Sequence, residues 1–130
     1  MLVIDTNHPK HHWWTGGEHN RFLTSFISPA LQEEIKGFSI GMVIVPPHTK
    51  SGVHVHEKTN EIWYILAGTG KIQVGDDVRD VYPGLLVYGP PGISHQVIND
   101  SIDSVLKALL ILNPDGDELL VLKNADRLEG

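Results

Sequence analysis

The 130-residue chain contains no cysteine and no long hydrophobic run. The absence of cysteine excludes disulfide bonds, thiolate metal ligands and a cysteine nucleophile, so His, Asp and Glu are the residue types left to bind a metal. The apolar run MLVID at the start is too short for a secretory signal, and no segment has the length of a membrane span. We therefore expect a cytoplasmic protein that has no membrane partner.

Basic residues are also scarce. The chain has 10 Lys and Arg against 16 Asp and Glu, which gives a formal net charge of −6, and the basic residues form no stripe. A nucleic-acid surface requires such a basic stripe or patch. The composition therefore argues against a nucleic-acid partner and favours a small-molecule ligand.

Short apolar segments separated by turn residues make up most of the chain. FSIGMVIV, EIWYILA, KIQV and VLKALLIL are rich in β-branched and aromatic residues, and Gly, Pro, Asn and Asp stand between such segments. This spacing predicts an all-β sandwich or closed barrel of about eight or more strands. We expect one domain over residues 1–130, with 1–20 packing on the barrel edge, an early strand at 21–28, and a C-terminal tail over 114–130 that ends in a short helix.

Two histidines, His54 and His56, lie either side of one valine. Alternate side chains of a strand share a face, so the two imidazoles converge, although such a pair is also common on an ordinary polar strand face. Glu61 opens the next apolar strand, where a buried carboxylate needs a cation or hydrogen bonds. His95 begins a strand after a tight turn. Three imidazoles and one carboxylate form a set suited to Fe, Mn, Ni, Cu or Zn.

These residues stand in two motifs. The first reads H54-V-H56-EKTN-E61-IWYILA-G68, and the second reads G84-LLVYG-P90-P-G92-IS-H95-QVI-N99. They resemble the two consensus motifs of the cupin superfamily, in the same order, with His48 in place of the glycine that usually opens the first. The resemblance implies a double-stranded β-helix (cupin jelly-roll) barrel. It also implies one divalent transition metal bound by His54, His56, Glu61 and His95.

Residues beside this cluster are candidates for the substrate pocket. Trp63, Ile65, Met42 and Val97 are expected to line it, with plain core packing as the alternative. Arg21 would bind a substrate carboxylate if it points inward, whereas an outward, solvated arginine is the other interpretation.

Two residues are candidates for a catalytic role. His48 would act as a proton donor if it reached the site, and is otherwise an exposed turn residue. Tyr64 is expected to face outward, so a catalytic role would need a break in the strand period. The N-terminal histidines and tryptophans suggest either a second metal site, an aromatic lid over the barrel mouth, or solvated side chains on the barrel edge; they are His8, His11, His12, His19, Trp13 and Trp14.

Several functions fit such a site, because the fold does not select one. The protein would be a Lewis-acid lyase, isomerase or cyclase, a dioxygenase, or a non-catalytic module that binds a small metabolite. Trp63 stands where some lyases of the superfamily carry a tyrosine, which weakens the lyase interpretation. The apolar outer residues Ile62, Tyr64 and Leu66 would form a homodimer interface.

Overall fold

Strands account for all the regular secondary structure that is described. A computed structural model describes residues 1–15, 21–114 and 126–128, and no helix occurs in these ranges. The prediction of an all-β chain is therefore confirmed. The strands are β1 (His12–Thr15), β2 (Arg21–Ile27), β3 (Ser39–Val45), β4 (Thr49–Lys50), β5 (Asn60–Ala67), β6 (Gly70–Val74), β7 (Asp77–Val81), β8 (Leu86–Gly89), β9 (His95–Asn99), β10 (Leu106–Asn113) and β11 (Asp126–Leu128).

These strands form two antiparallel sheets that face each other across the core. One sheet has the order β11-β1-β2-β3-β10-β5-β8 and the other has the order β4-β9-β6-β7. From β3 onward the chain passes repeatedly from one sheet to the other, as in a barrel built from two Greek keys. The loops that join the sheets bring residues distant in sequence to the same end of the barrel.

The core lies between the two sheets and follows the period of two expected for strands. On β5, Glu61, Trp63 and Ile65 point inward and are buried, whereas Tyr64 and Leu66 are exposed. Burying an apolar side chain such as that of Ile65 stabilises the fold by about 1.5–3 kcal/mol. The main buried cluster comprises Val43, Val45, Trp63, Ile65, Ile72, Val81, Val97, Leu106 and Ala108.

Both ends of the chain extend the larger sheet. β1 pairs with β2, and β11 pairs with the other side of β1, with His12 opposite Leu128. The early strand predicted at 21–28 is confirmed by β2. The helix expected at the end of the tail is wrong for residues 126–128, because these residues pair with β1 as an extended strand. The rest of that expected helix lies outside the described residues. No helix in the described ranges is long and apolar enough to cross a membrane.

The backbone has a positive φ at two turn positions of the first motif, Gly68 and His48. Gly68 has a φ of 81°, and a Cβ there would lie 2.1 Å from the carbonyl oxygen of Val105, so only glycine fits. His48 also has a positive φ, of 55°. The turn that usually carries glycine in the first motif is thus kept, with a histidine in a left-handed conformation.

Candidate metal centre

Four side chains from different parts of the chain meet at one end of the barrel. Glu61 is the second residue of β5 and His95 the first of β9. The segment that carries His54 and His56 is tied to β9 and to the loop before it. His54 and His95 exchange two backbone hydrogen bonds of 3.1 and 2.9 Å, and the amide of Gly92 donates to the carbonyl of His56 at 2.8 Å. Backbone pairing therefore places the imidazoles before any metal is bound.

The geometry of the four side chains suits a single ion. One potential ligand atom from each of His54, His56, Glu61 and His95 lies within 4.8 Å of all the others. Oε2 of Glu61 is 2.6 Å from Nε2 of His95 and 3.3 Å from Nε2 of His56. Bond lengths of about 2.0–2.2 Å place neighbouring ligand atoms about 3 Å apart and opposite ones about 4.3 Å apart. The observed spacing is compatible with that range.

Glu61 and His95 have buried polar atoms that lack a hydrogen-bond partner. Oε2 of Glu61 and Nε2 of His95 are buried, and neither has a partner at hydrogen-bonding geometry despite their close approach. Buried polar groups are normally satisfied, so lone pairs that converge without a bonded hydrogen indicate a place for a cation. Nδ1 of His54 contacts the carbonyl of Gly52 at 2.9 Å, a contact of the kind that orients metal-binding histidines. The residues therefore fit a bound divalent ion.

The surroundings of His54 and Glu61 keep these two side chains in their metal-binding forms. Burial, with the nearby charges of Arg21 and His95, lowers the pKa of His54 to about 3. Burial alone would raise the pKa of Glu61, but the close imidazoles of His56 and His95 together lower it to about 2. Metals bind neutral imidazole and ionised carboxylate. At neutral pH, His54 and Glu61 are already in those states.

A cavity of about 60 Å³ adjoins the cluster. Trp63 and Val97 line it, as the sequence predicted, and so does Arg21. Arg21 is only 6% exposed, so the outward, solvated interpretation is wrong: Arg21 lies on the inner face of β2, whereas the next residue, Phe22, is exposed. The other lining residues are Trp13, Leu23, Thr24, Ser25, Ser39, Ile40, Gly41, Val43, His54, His56, Glu61, Leu110 and Leu112.

Four predicted site residues do not reach this cavity. Ile65 points inward but is packed in the main core, and Met42 is buried but is not among the lining residues of the cavity. Tyr64 is 38% exposed on the outer sheet face. His48 is an exposed turn residue whose amide donates to the carbonyl of Ser101. Neither catalytic candidate is therefore positioned to act.

The N-terminal histidines have separate surroundings. His12 contacts Oγ1 of Thr24 and the carbonyl of Pro9, and His11 stacks on Trp13. Where the structure describes the chain, the group of His54, His56, Glu61 and His95 is the only set of three or more potential metal ligands found together, so a second site on the N-terminal histidines is not supported there. His19 lies outside the described residues. Trp13 lines the cavity, and an aromatic lid over the barrel mouth stays a prediction.

Sequence reasoning missed the hydroxyl groups of the cavity. Thr24, Ser25 and Ser39 line it and are all buried. The sequence contains only a weak indication of these groups. Serine and threonine residues stand within the apolar strands β2 and β3, and such residues also occur in many protein cores that form no binding site. Their approach to the cluster depends on the pairing of β2 with β3, which no local pattern reveals.

Comparison with known proteins gives a family and several similar folds. A family model described as "Cupin domain" matches residues 41–112. The uncharacterized protein MJ1618 of Methanocaldococcus jannaschii is 30% identical over 77 residues, which cover 59% of this chain and 61% of that protein. The chain thus spans about three fifths of the length of that relative.

Two solved structures show the same fold at low identity. A predicted oxalate decarboxylase from Thermotoga maritima has a TM-score of 0.74 at 22% identity, covering 87% of this chain and 99% of that one. The polyketide cyclase RemF from Streptomyces resistomycificus has a TM-score of 0.71 at 19% identity, covering 88% and 80%. At these identities the likeness concerns the fold, and it confirms the predicted double-stranded β-helix barrel.

Proposed function

This chain belongs to the cupin domain family, and we propose that it is a metal-dependent enzyme acting on a small polar or carboxylate-bearing molecule. His54, His56, Glu61 and His95 would hold one divalent ion of Fe, Mn, Ni, Cu or Zn beside the cavity. When bound, such an ion supplies Lewis acidity or, if it is redox-active, electron transfer. The four side chains leave room for substrate atoms on the cavity side.

The composition of the cavity wall is the observation that favours a reaction class. Apart from His54, His56 and Glu61, the described lining residues are apolar, carry hydroxyl groups, or, in the case of Arg21, carry a fixed positive charge. None of these is a good general base near neutral pH, and Tyr64 and His48 lie elsewhere. This favours reactions that need no separate protein base, namely oxygenation by a dioxygenase or loss of CO2 from an acid. Isomerisation and cyclisation by proton transfer are less well supported.

The residues around the cavity have simple roles in this proposal. Trp63, Val97 and Leu110 exclude water, which strengthens electrostatic contacts with a bound substrate. Glu61 stays ionised and His54 stays neutral, so these two ligands need no change of protonation to bind an ion. The description of the Thermotoga protein as a predicted oxalate decarboxylase agrees with an acid substrate.

Metal content and turnover test this proposal together. We expect about one metal ion per chain by elemental analysis of untagged protein, and its loss in His54→Ala and Glu61→Ala. His48→Asn is the matched control, because it removes an exposed histidine and keeps a residue type that tolerates positive φ. O2 consumption and CO2 release are then measured with small 2-oxo and 2-hydroxy acids. Metal binding without either activity would leave a non-catalytic metabolite-binding module, and no metal after reconstitution would refute the metal centre.

We also propose that the outer face of the larger sheet forms a homodimer interface. Tyr64, Leu66, Leu86 and Tyr88 are exposed on β5 and β8, with Tyr64 directly opposite Leu86. Contiguous exposed apolar side chains of this kind usually mark an interface. Light scattering after size exclusion should give twice 14.4 kDa, and Leu86→Arg should reduce it to the monomer mass. Val78→Arg, at an exposed valine on the other sheet, is the control; a monomeric parent at micromolar concentration would refute the interface.

A further inference from the structure

Residues 1–4, with the sequence MLVI, form an apolar arm that has little contact with the rest of the described chain. The first three side chains of the arm are exposed, and the arm belongs to none of the described strands. A turn separates it from β1, because the amide of His8 donates to the carbonyl of Asp5 at 3.2 Å. Three successive apolar side chains in water are unfavourable, so the arm is suited to a partner surface.

The strand β8 has a free edge on which another strand would pair. It ends the larger sheet and has β5 as its neighbour. The amide of Ile65 donates to the carbonyl of Leu85, and antiparallel pairing alternates, so the N–H and C=O groups of Leu86 and Tyr88 face away from β5. Charged side chains protect β4 and β7, the other edge strands whose side chains are described, whereas β8 carries no charge.

A strand added at this edge would have apolar contacts on both of its faces. On the outer face, Leu86 and Tyr88 are largely exposed. On the inner face, a cleft of about 460 Å³ opens between β7 and β8, and Ile72, Val81 and Leu85 form part of its lining. Strand addition takes affinity from backbone hydrogen bonds and specificity from pockets that receive alternate side chains. The edge of β8 therefore suits a short apolar segment such as the arm.

The arm that meets this edge must come from a second copy of the chain. Four strands lie between β1 and β8, so the two strands are about 24 Å apart. The stretch from Ile4 to His12 would span about 26 Å only if fully extended, and the turn between Asp5 and His8 shortens it. A two-fold axis parallel to the strands brings the β1 side of each copy over the β8 side of the other, so both arms are exchanged.

Area and charge both favour this exchange. The exposed parts of Tyr64, Leu66, Leu86 and Tyr88 equal about two fully exposed side chains, or about 200–400 Å². A stable interface buries about 800 Å² per partner. The exposed part of the arm is about as large again, so its burial about doubles the area. No side chain of the arm or of β8 is charged, so two chains of net charge −6 meet there without bringing carboxylates together.

We propose that, in the homodimer, the arm of each copy adds to the free edge of β8 of its partner and covers the cleft between β7 and β8. This inference rests on the proposed homodimer and names the contact that completes it. The occupant of the edge is residues 1–4 of a second copy.

Disulfide formation between copies tests the position of the arm. The chain has no cysteine, so introduced thiols are the only ones present. The double variant Val3→Cys with Leu86→Cys is oxidised with glutathione disulfide, and covalent dimer is measured on non-reducing gels. We expect it to form about tenfold faster or more than in the matched control Ile102→Cys with Leu86→Cys, because thiols adjacent in a dimer have a high effective concentration. Ile102 is an exposed apolar residue outside the arm.

Substitution of the arm tests its contribution to affinity. Leu2→Asp combined with Val3→Asp should raise the dissociation constant of the dimer about tenfold or more, measured by sedimentation equilibrium, since carboxylates would enter an apolar contact. Ile102→Asp is the matched control and should change this constant by less than about twofold. All three positions are exposed in the single copy, so folding is not at risk.

The outcomes separate the arm from the dimer. A parent that is monomeric at micromolar concentration would overturn the homodimer and the arm exchange together. A dimeric parent in which both cysteine pairs react equally, or whose arm variant dimerises like the parent, would overturn the arm exchange alone. Covalent dimer formed as fast by the single variant Leu86→Cys as by the pair with Val3→Cys would also overturn it, and would show that two β8 edges pair with each other.

Discussion

Substitution of Gly89 by alanine tests the packing that supports the metal centre. Gly89 ends β8, directly opposite Glu61 on β5. A Cβ at this position would lie 2.9 Å from both Cη2 and Cζ3 of Trp63, whose side chain is fully buried. Trp63 in turn packs against His95, with ring centroids 5.0 Å apart. The new methyl group would therefore push the indole toward a metal ligand.

The size of the effect follows from the contact distance. Carbon atoms pack best at about 3.5–4.0 Å, so the indole must move by about 0.5–1 Å in a close-packed core. Overpacking of this kind costs about 1–3 kcal/mol, and the lower chain entropy of alanine offsets part of it. We expect a net loss of about 1–2 kcal/mol in the free energy of unfolding. The displacement of His95 should weaken metal binding about tenfold, as loss of a supporting contact typically does.

Urea unfolding of the metal-free protein and calorimetric metal titration measure these two effects. Trp63→Phe shortens the ring and should relieve the clash, so the double variant should be less destabilised than the sum of the single variants by about 1 kcal/mol or more. Val78→Ala, at an exposed position on β7 of the other sheet, should change stability by less than about 0.5 kcal/mol. Strict additivity of the two core substitutions, or unchanged metal affinity in Gly89→Ala, would refute the reasoning.

Three further predictions concern pH, the turn before β4 and a buried amide. His54 has a pKa of about 6.5 in the unfolded chain, whereas folding lowers this pKa to about 3. The free energy of unfolding of the metal-free protein should therefore decrease as the pH falls from about 6.5 to about 3, by up to about 1.4 kcal/mol per pH unit. His54→Asn should flatten that slope in urea titrations, and an identical slope would contradict the assignment. His48→Gly should raise the free energy of unfolding by up to about 1 kcal/mol, because glycine adopts a positive φ without strain. A clearly lower melting temperature of this variant would argue against strain at His48. Asn99→Ala should cost about 2–4 kcal/mol, because the buried amide donates to the carbonyls of Val45 and Ser104; a change below about 1 kcal/mol in urea unfolding would show that water replaces these bonds.

Local sequence patterns were sufficient for the fold class and for grouping the cluster residues. Strand alternation correctly placed Glu61, Trp63 and Ile65 on one face and Tyr64 on the other, because the side-chain period of an extended chain is two wherever it pairs. The motif spacing selected His54, His56 and His95 from the eight histidines of the chain. Strand alternation is a short-range feature that neighbouring residues specify, whereas the grouping of the three histidines rested on the resemblance to the two cupin motifs.

The tertiary structure decided which inward residues reach the cavity and what the cavity can bind. Arg21 is buried and lines the cavity, whereas Ile65 is inward yet lies in the core and does not reach the cavity. The tail pairs at 126–128 as a strand with β1 instead of forming a helix. Each of these outcomes depends on partners far apart in sequence, and on depth along the barrel axis. A periodic sequence pattern predicts which face of the sheet a side chain occupies. It does not predict which residues lie beside it on neighbouring strands, or how far it lies from the end of the barrel.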